Sequence, residues 1–222
     1  SAIKVDPSLY QHEDPASVGN DMRMLVSEMA GRASVELKSQ ELGIDLGGDR
    51  ELITRVVERV KDMESRGFTF EAADASFELL LREEATGVRP HFFTINHWLT
   101  TVERSADQSI LTRAEISITA QGEKISCVGQ GNGPVNAFDK ALRSGLQRFY
   151  PELSLLELTD YKVRILEGRL GTGATTRVLV ETSDGKGEWN TVGVHENVIA
   201  ASAMALEDSV TYGLLRLGRI PS

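Results

Sequence analysis

The sequence predicts an α+β protein in which a duplicated βββα domain follows a small helical linker subdomain. Three observations support this fold class. Apolar residues recur at three- and four-residue steps over residues 48–89, and alternation on a period of two begins after Pro90. Residues 112–142 also align without a gap with residues 176–206, at an offset of 176 − 112 = 64. We therefore expect a linker subdomain over 1–47, a helical hairpin over 48–89 and the duplicated domain over 90–222.

Two amphipathic helices make up the predicted hairpin. Asp49 is suited to cap the start of the first and Gly67 to end it, while Thr69 and Gly87 are the corresponding signals for the second. The residues predicted to face inward are Leu52, Val56, Val57, Val60 and Met63 in the first helix and Ala73, Phe77, Leu80 and Leu81 in the second.

The internal repeat predicts two copies of strand, strand, strand, helix. Thr112-Arg113 matches Thr176-Arg177, Val128-Gly129 matches Val192-Gly193, and Ala141-Leu142 matches Ala205-Leu206. The segments "TAQGEK" and "TSDGKGEW" have the composition of hairpin turns. Each copy gives one three-stranded sheet with one helix. Because one such sheet makes only a small core, we expect the copies to pack together and against a second chain.

Composition excludes several classes of partner. The formal charge is 24 − 33 = −9, which argues against nucleic acid and against an anionic membrane surface. No apolar run approaches the roughly 20 residues of a membrane span. The single cysteine, Cys127, cannot form an intrachain disulfide, which fits a reducing cytoplasm. The opening "SAIKVDPSLY" contains no methionine and reads as sequence from within a protein, so we expect a fragment.

The stretch "GQGNGPVNAFDKAL", residues 129–142, is the strongest local motif. Its glycine spacing is not that of a dinucleotide loop, and no G-K-[ST] follows, so nucleotide binding is disfavoured. Pro134 suits the first position of a helix, with Gly133 or Asn132 as the cap. The N–H groups at such a helix start attract a carboxylate. Two interpretations stay open: an anion site, or a structural turn from strand to helix.

Only the first copy keeps the glycine loop, since the matching stretch of the second copy reads "GVHENVIAAS", with His195, Glu196 and Asn197 in its place. This difference suggests one specialised end that binds a ligand and one plainer end. The strand "LTDYKVRILEG" supplies a facing wall, with Tyr161, Val163 and Ile165 on one face and Lys162 and Arg164 on the other. An apolar face with a tyrosine hydroxyl suits a small apolar amino acid, and it is equally typical of ordinary core.

Catalytic and metal-binding motifs are not found. The four histidines (His12, His91, His97 and His195) stand in no metal-binding motif, and Cys127 has no partner at ligand spacing. No nucleophile elbow is present either. We therefore expect no metal site and no cofactor in this chain, and by itself it does not read as an enzyme.

Several motifs resemble a known family. Four segments resemble the C-terminal regulatory domain of the 2-isopropylmalate synthase and citramalate synthase family: "GNGPVNAFDKAL", "LTDYKVRIL", "GTGATTRVLVET" and "WNTVGVHENVIAASAMAL". The "DYKVRIL" and "EWNTVGV" sequences are closer to the citramalate synthase branch. "SLYQHEDPASVGND", "SEMAGRAS" and "FTFEAADASFELLL" resemble the linker subdomains before it.

The resemblance implies a longer enzyme. Its N-terminal TIM barrel, with a divalent metal, condenses acetyl-CoA with a 2-oxo acid: pyruvate on the citramalate route to isoleucine, or 2-oxoisovalerate on the leucine route. The barrel is missing here, so this piece is expected to be inactive alone. The regulatory domain is expected to form a homodimer and to bind isoleucine or leucine as feedback inhibitor. Tyr10 matches the linker tyrosine that reaches toward the partner subunit's active site.

The resemblance also implies which residues form the inhibitor pocket. They are Gly131, Asn132, Gly133, Val135, Leu158, Tyr161, Ile165, Ala174, Thr176, Glu196 and Val198. Some family members carry an aromatic residue in the glycine loop where this sequence has Val135, so the identity of the ligand stays open. The alternatives are the same region of a 2-isopropylmalate synthase, a stand-alone amino-acid-binding module, and an enzyme in its own right that uses Tyr10 or His195.

Overall fold

The computed structural model describes residues 32–44, 46, 49–166 and 173–221. Five α-helices, six strands and one short 3₁₀ helix lie in this part of the chain. The helices are α1 (Arg32–Glu41), α2 (Arg50–Ser65), α3 (Asp74–Thr86), α4 (Pro134–Leu146) and α5 (Val198–Arg216), with the 3₁₀ helix at Pro151–Leu155. The strands are β1 (Phe93–Arg104), β2 (Ile110–Ala120), β3 (Glu123–Gly131), β4 (Glu157–Ile165), β5 (Thr176–Ser183) and β6 (Glu188–His195).

The strands form two separate antiparallel sheets, β1–β2–β3 and β4–β5–β6. Helix α4 packs on the first sheet and α5 on the second, which completes two βββα units. The residues of β2 that face α4 are buried, as are those of β5 that face α5. This arrangement confirms the α+β prediction with a duplicated βββα domain.

The duplication extends to an irregularity that the sequence pattern did not reveal. The register of β1 against β2 shifts between Ile95 and His97, and that of β4 against β5 shifts between Leu158 and Asp160. These two bulges lie at equivalent places, so the first strands are related by 158 − 95 = 63 positions, whereas the later elements are related by 64. Because a bulge changes which residues face each side, both units turn the same face of their first strand toward the core.

A repeated glycine lets each helix lie close to its sheet. A Cβ at Gly129 would come within 2.3 Å of the Ala137 carbonyl oxygen, and one at Gly193 within 1.9 Å of the Ala201 carbonyl oxygen. Any side chain at either position would therefore push the helix away from β3 or β6. Close packing of each helix on its sheet thus explains why glycine recurs in the Val-Gly pair at the 64-residue offset.

The N-terminal helices match most of the sequence signals. The carboxylate of Asp49 accepts hydrogen bonds from the N–H groups of Glu51 and Leu52, and the helix stops before Gly67, at φ +104°. Helix α3 ends at Gly87 in the left-handed conformation. The predicted inward residues are buried except Met63, which is half-buried.

The sequence predicted that Thr69 caps α3, and this prediction is wrong. The helix begins five residues later, at Asp74. The intervening segment buries Phe70 and Ala73 instead.

Helix α3 covers one edge of the second sheet. The carboxylate of Asp74 accepts a hydrogen bond from the N–H of Asn190 (3.2 Å), and the hydroxyl of Ser76 accepts one from the N–H of Val192 (3.0 Å). Val192 and Val194 of β6 complete the apolar core formed with α2 and α3. Helices α2 and α3, which form the helical subdomain, are therefore fixed to the second βββα unit.

An ion-pair network strengthens the same contact. Arg89 bridges Glu83 of α3 (3.0 Å) and Asp208 of α5 (2.6 Å), and Ser76 donates to Asp208 (2.8 Å). Burial raises the pKa of the Asp208 carboxyl, although Arg89 and Ser76 act in the opposite direction. Burial also acts to raise the pKa of Glu83, but hydrogen bonds from Arg59 and Arg89 outweigh it and lower that pKa overall. The network therefore holds α2, α3 and α5 together.

Helix α5 is long and apolar enough to cross a membrane, with 19 residues and a mean hydropathy of 1.2. This differs from the sequence-based expectation that no apolar run approaches the length of a membrane span. In the fold α5 lies against β5 and β6, and 61% of the apolar window is buried inside the protein, as in the core helix of a globular domain.

Candidate functional site

A cavity opens between the start of α4, the 3₁₀ helix and β4, with a volume of about 770 Å³. That volume lies within the usual range for small-molecule sites. Its lining residues are Asn132, Gly133, Pro134, Val135, Asn136, Asp139, Arg143, Gln147, Leu153, Ser154, Leu156, Glu157, Leu158 and Tyr161. The cavity therefore joins the glycine-rich loop of the first unit to the first strand of the second.

No side chain caps helix α4 where it meets the cavity. Gly133 is the N-cap and Pro134, at the first helical position, has no N–H to satisfy. The N–H groups of Val135 and Asn136 follow, and helix geometry gives them no partner within the helix. The start of α4 therefore presents main-chain donors and partial positive charge to the cavity.

The two glycines of the loop, Gly131 and Gly133, differ in whether packing requires a glycine. A Cβ at Gly131 would lie 2.4 Å from the Asn136 side-chain oxygen and 2.6 Å from the Ala137 nitrogen, so this position needs glycine for close packing, as Gly129 does. A Cβ at Gly133 would meet no heavy atom within 4 Å, and its φ of −169° suits any residue. Packing within the chain therefore leaves Gly133 unexplained.

The equivalent end of the second unit is closed by its own side chain. Asn197 is the N-cap of α5, and its side-chain oxygen accepts hydrogen bonds from the N–H groups of Ile199 (2.8 Å) and Ala200 (3.1 Å). Asn197 stands where the first unit has Gly133, since 197 − 133 = 64. Among the residues that the structure describes, the donors at the start of α4 have no side-chain cap, whereas those at the start of α5 have one.

Charged groups lie on one side of the cavity. The carboxylate of Asp139 accepts hydrogen bonds from Nε of Arg143 at 2.8 and 3.0 Å, and Nη1 of Arg143 donates to the Leu156 carbonyl oxygen at 2.7 Å. This pair is largely buried and ties α4 to the end of the 3₁₀ helix. Glu157, by contrast, is exposed. The lining therefore offers one ion pair, Asp139–Arg143, and one exposed carboxylate, Glu157.

Tyr161 links the cavity to helix α5. Its hydroxyl lies 2.8 Å from the Ser202 hydroxyl on the first turns of α5, and the Ser202 hydroxyl donates to the Val198 carbonyl oxygen. In the first unit Trp98 occupies the position equivalent to Tyr161, since both pair with the corresponding residue of the middle strand. A change at Tyr161 would therefore reach α5 directly.

The structure brings together five of the predicted site residues. They are Asn132, Gly133, Val135, Leu158 and Tyr161, all of which line the cavity. Gly131 lies at the end of β3, immediately before them.

The other predicted residues lie at the far end of the second sheet. Ile165 and Thr176 are register partners there, with Ala174 just before β5, and Glu196 and Val198 lie at the turn into α5. Ile165 is 60% exposed because α5 lies over β5 and β6 and leaves the end of β4 uncovered. This cluster is the counterpart, in the second unit, of the glycine loop. Its role as part of one pocket stays a prediction.

Tyr10 falls outside the described residues, so its linker role also stays a prediction. Within residues 32–44, 46, 49–166 and 173–221, the structure contains no group of three or more His, Cys, Asp or Glu side chains that could hold a metal ion.

Sequence reasoning missed the side of the cavity formed by Asp139, Arg143, Leu153 and Leu156. The four-residue spacing of Asp139 and Arg143 in "FDKALR" is a signal of a helical ion pair. Nothing in the sequence pattern indicates that the 3₁₀ helix folds back against that pair.

Comparison with known proteins agrees with the architecture. The model of the LeuA allosteric (dimerisation) domain matches residues 71–214. An (R)-citramalate synthase of Streptomyces coelicolor is 64% identical over 222 residues, which is the whole of this chain and 42% of that protein. The (R)-citramalate synthase of Geobacter sulfurreducens is 42% identical over 214 residues, 96% of this chain and 40% of that protein.

A 2-isopropylmalate synthase of Dictyoglomus turgidum is 28% identical over 202 residues, 90% of this chain and 37% of that protein. The chain thus spans about two fifths of the length of the curated relatives it matches. The matched region contains α3, both βββα units and the cavity between them. With its two βββα units and this family match, the chain belongs to the LeuA allosteric (dimerisation) domain family.

Proposed function

We propose that this chain is the C-terminal regulatory region of a citramalate synthase-like acyltransferase. The full protein would condense acetyl-CoA with pyruvate on the route to isoleucine. This region would form a homodimer and bind the end-product amino acid as feedback inhibitor. Identities of 64% and 42% to proteins named (R)-citramalate synthase, against 28% to one named 2-isopropylmalate synthase, favour the citramalate branch.

One observation carries the proposal: the start of α4 is uncapped and opens on a cavity. An amino-acid carboxylate placed there would accept hydrogen bonds from the N–H groups of Val135 and Asn136. Because Gly133 has no side chain and its Cβ position is empty, the ligand has room to approach the main chain. The second unit offers no such place, since Asn197 already occupies its donors.

The rest of the cavity suits the other two parts of a branched-chain amino acid. Val135, Leu158 and the ring of Tyr161 provide an apolar wall for its side chain. Glu157 is the carboxylate available to its ammonium group, because Asp139 is already paired with Arg143.

Such a pocket can discriminate between isoleucine and leucine to a limited extent. Moving one methyl group within an apolar pocket changes binding by about 1–3 kcal/mol, or roughly 10–200-fold. We therefore expect a preference rather than strict exclusion.

Inhibition requires that the amino acid bind one conformation of the enzyme better than another. The contacts described above offer a route: Tyr161 contacts Ser202 at the start of α5, and Asp208 in the same helix contacts Arg89 and Ser76. These contacts lead from the cavity to the helical subdomain, which precedes both βββα units in the chain. A ligand that fixes Tyr161 would therefore bias the position of that subdomain.

Isothermal titration calorimetry of this chain with L-isoleucine and, separately, with L-leucine tests the proposal. Saturable isoleucine binding with weaker leucine binding is expected. The reverse order would assign the region to a leucine-regulated 2-isopropylmalate synthase. Binding of neither amino acid by the folded dimer would contradict the sensor function, and a strict monomer at tens of micromolar would contradict the dimer.

A further inference from the structure

The outer face of the second sheet, on the side away from α5, carries cations that its counterpart on the first sheet does not. The equivalent positions are Leu99, Thr101, Arg113 and Glu115 in the first unit and Lys162, Arg164, Arg177 and Leu179 in the second. Their formal charges add up to zero in the first unit and to +3 in the second, and the next register pair on the same face, Asp160 and Glu181, brings the second unit to 3 − 2 = +1. This difference stands out in a protein with a net charge of −9.

The first unit neutralises its arginine within the same strand. Nη2 of Arg113 lies 2.9 Å from the carboxylate of Glu115. In the second unit the position of that glutamate is Leu179, so Arg177 has no such partner. Arg177 instead donates to the carbonyl oxygens of Gly67 and Phe68, in the segment between α2 and α3.

Two guanidinium groups oppose each other across β4 and β5. Arg164 and Arg177 are direct register partners, and Arg164 makes no hydrogen bond or ion pair with any residue that the structure describes. Like charges placed opposite each other destabilise a sheet. Burial and the charge of Arg164 lower the pKa of Arg177, and Glu64 is the carboxylate that acts in the opposite direction. Lys162, the third cation, is paired with Asp160.

These cations surround a second cavity, separate from the one at α4. Its volume is about 450 Å³, and it lies between the α2–α3 segment and the outer face of the sheet. Its lining residues are Thr69, Ala72, Lys162, Val163, Arg164, Arg177 and Leu179. The cavity therefore combines two arginines and a lysine that is already paired with Asp160, together with a hydroxyl donor, in a space that fits a small ligand.

We propose that this cavity binds a phosphate group. Guanidinium groups present paired N–H donors that match phosphate oxygens, and an anion between Arg164 and Arg177 would relieve their mutual repulsion. The same anion would bridge the second sheet to the helical subdomain, because Arg177 already holds the carbonyls of Gly67 and Phe68. The site is independent of the amino-acid cavity, and the inference does not rest on the proposed function.

Calorimetric titration of the chain with sodium phosphate, at an ionic strength held constant with sodium chloride, tests the site. Saturable binding is expected for the wild type. Arg164→Gln should weaken it about tenfold or more, the fold-change expected when a charge-assisted hydrogen bond is lost. Arg113→Gln removes the same charge from the first sheet and should leave phosphate binding unchanged.

Hydrogen exchange supplies a second readout. Phosphate should slow exchange of the amides of residues 67–72 in the wild type and in Arg113→Gln, but not in Arg164→Gln. A parallel titration with adenosine monophosphate separates the two sources of the group. Equal affinity would mean that the phosphate alone is recognised, and tighter binding would mean an organic phosphate. Lack of saturable binding by either, or equal binding to wild type and Arg164→Gln, would overturn the inference.

Discussion

The two βββα units share one frame and differ at the place where each helix begins. Both have a bulge in the first strand and a glycine under the helix. At the helix start, however, the second unit has Asn197, which caps α5 with its own side chain, whereas the first has Gly133, which caps nothing. A second difference concerns their surroundings, since in the described part of the chain α2 and α3 pack against the second unit. The features common to both units explain stability, and the features found in one of them point to function.

The largest effect is expected where the two units are alike. Gly193→Ala and Gly129→Ala should each destabilise the fold by about 3 kcal/mol, because the new methyl group would overlap the main chain of the helix above it. Urea unfolding followed by circular dichroism measures this loss. Gly133→Ala is the matched control: its methyl group meets no heavy atom within 4 Å, so it should cost no more than the roughly 0.5–1 kcal/mol that separates glycine from alanine at an N-cap. Tolerance of alanine at either packed glycine would show that the helices can move off their sheets at little cost.

Exchanging the two caps should separate ligand binding from stability. Gly133→Asn would give α4 the cap that α5 has, and its side-chain oxygen would take the N–H groups proposed for the ligand. Amino-acid affinity should fall about tenfold or more, which is about 1.4 kcal/mol, while stability stays within about 0.5 kcal/mol of the wild type.

The reciprocal change, Asn197→Ala, should cost about 1 kcal/mol of stability and leave amino-acid affinity unaltered. Calorimetry and urea unfolding of both variants make the comparison. Unchanged affinity in Gly133→Asn would remove the start of α4 from the site.

A smaller effect is expected at the contact between β4 and α5 within the second unit. Tyr161→Phe removes the hydroxyl that meets Ser202 and should cost about 1 kcal/mol of stability. It should also weaken the transmission of amino-acid binding to α5, visible as less ligand-induced slowing of hydrogen exchange near Ser202. The control is Tyr150→Phe, which loses a hydrogen bond to the Phe92 carbonyl oxygen away from the cavity. If both variants respond to the amino acid equally, Tyr161 has only a structural role.

The smallest effect concerns the helical subdomain that covers the second unit. The folded-state pKa of Glu83 is lowered, so its ionised carboxylate stabilises the fold at pH values above its unfolded pKa near 4.5. This stabilisation is lost as the pH falls through the lowered folded-state pKa. Glu83→Gln should therefore cost about 0.5–1 kcal/mol at pH 7 and progressively less toward pH 3.

Thermal unfolding across that pH range measures the difference, with the exposed Glu58→Gln as control. If the difference in stability between wild type and Glu83→Gln stays constant with pH, the ionised carboxylate of Glu83 does not stabilise the fold.

The sequence predicted the elements correctly where a local signal, such as a capping residue or a periodic pattern, determines the structure. Period-two alternation, the 64-residue offset, Asp49, Pro134 and Gly87 all predicted the elements they mark. The bulges were not predictable, because an alternating pattern does not show where one extra residue interrupts it.

Thr69 was wrongly predicted as a cap because Phe70 and Ala73 are buried before α3 starts, and that burial depends on the distant sheet. Of the site, the glycine loop and Tyr161 could be read from the chain. The 3₁₀ segment and the Asp139–Arg143 pair required the tertiary fold.

The hydrogen bonds from β6 to α3 have a consequence for how this chain can be divided. Asp74 and Ser76 occupy the main-chain donors of Asn190 and Val192 at the β6 edge of the second sheet. A protein truncated at the predicted boundary after residue 89 would keep all six strands but leave that edge open. Open edges recruit strands from other molecules. Such a truncated protein should therefore self-associate through β6 at high concentration, so α3 protects the folded chain from aggregation.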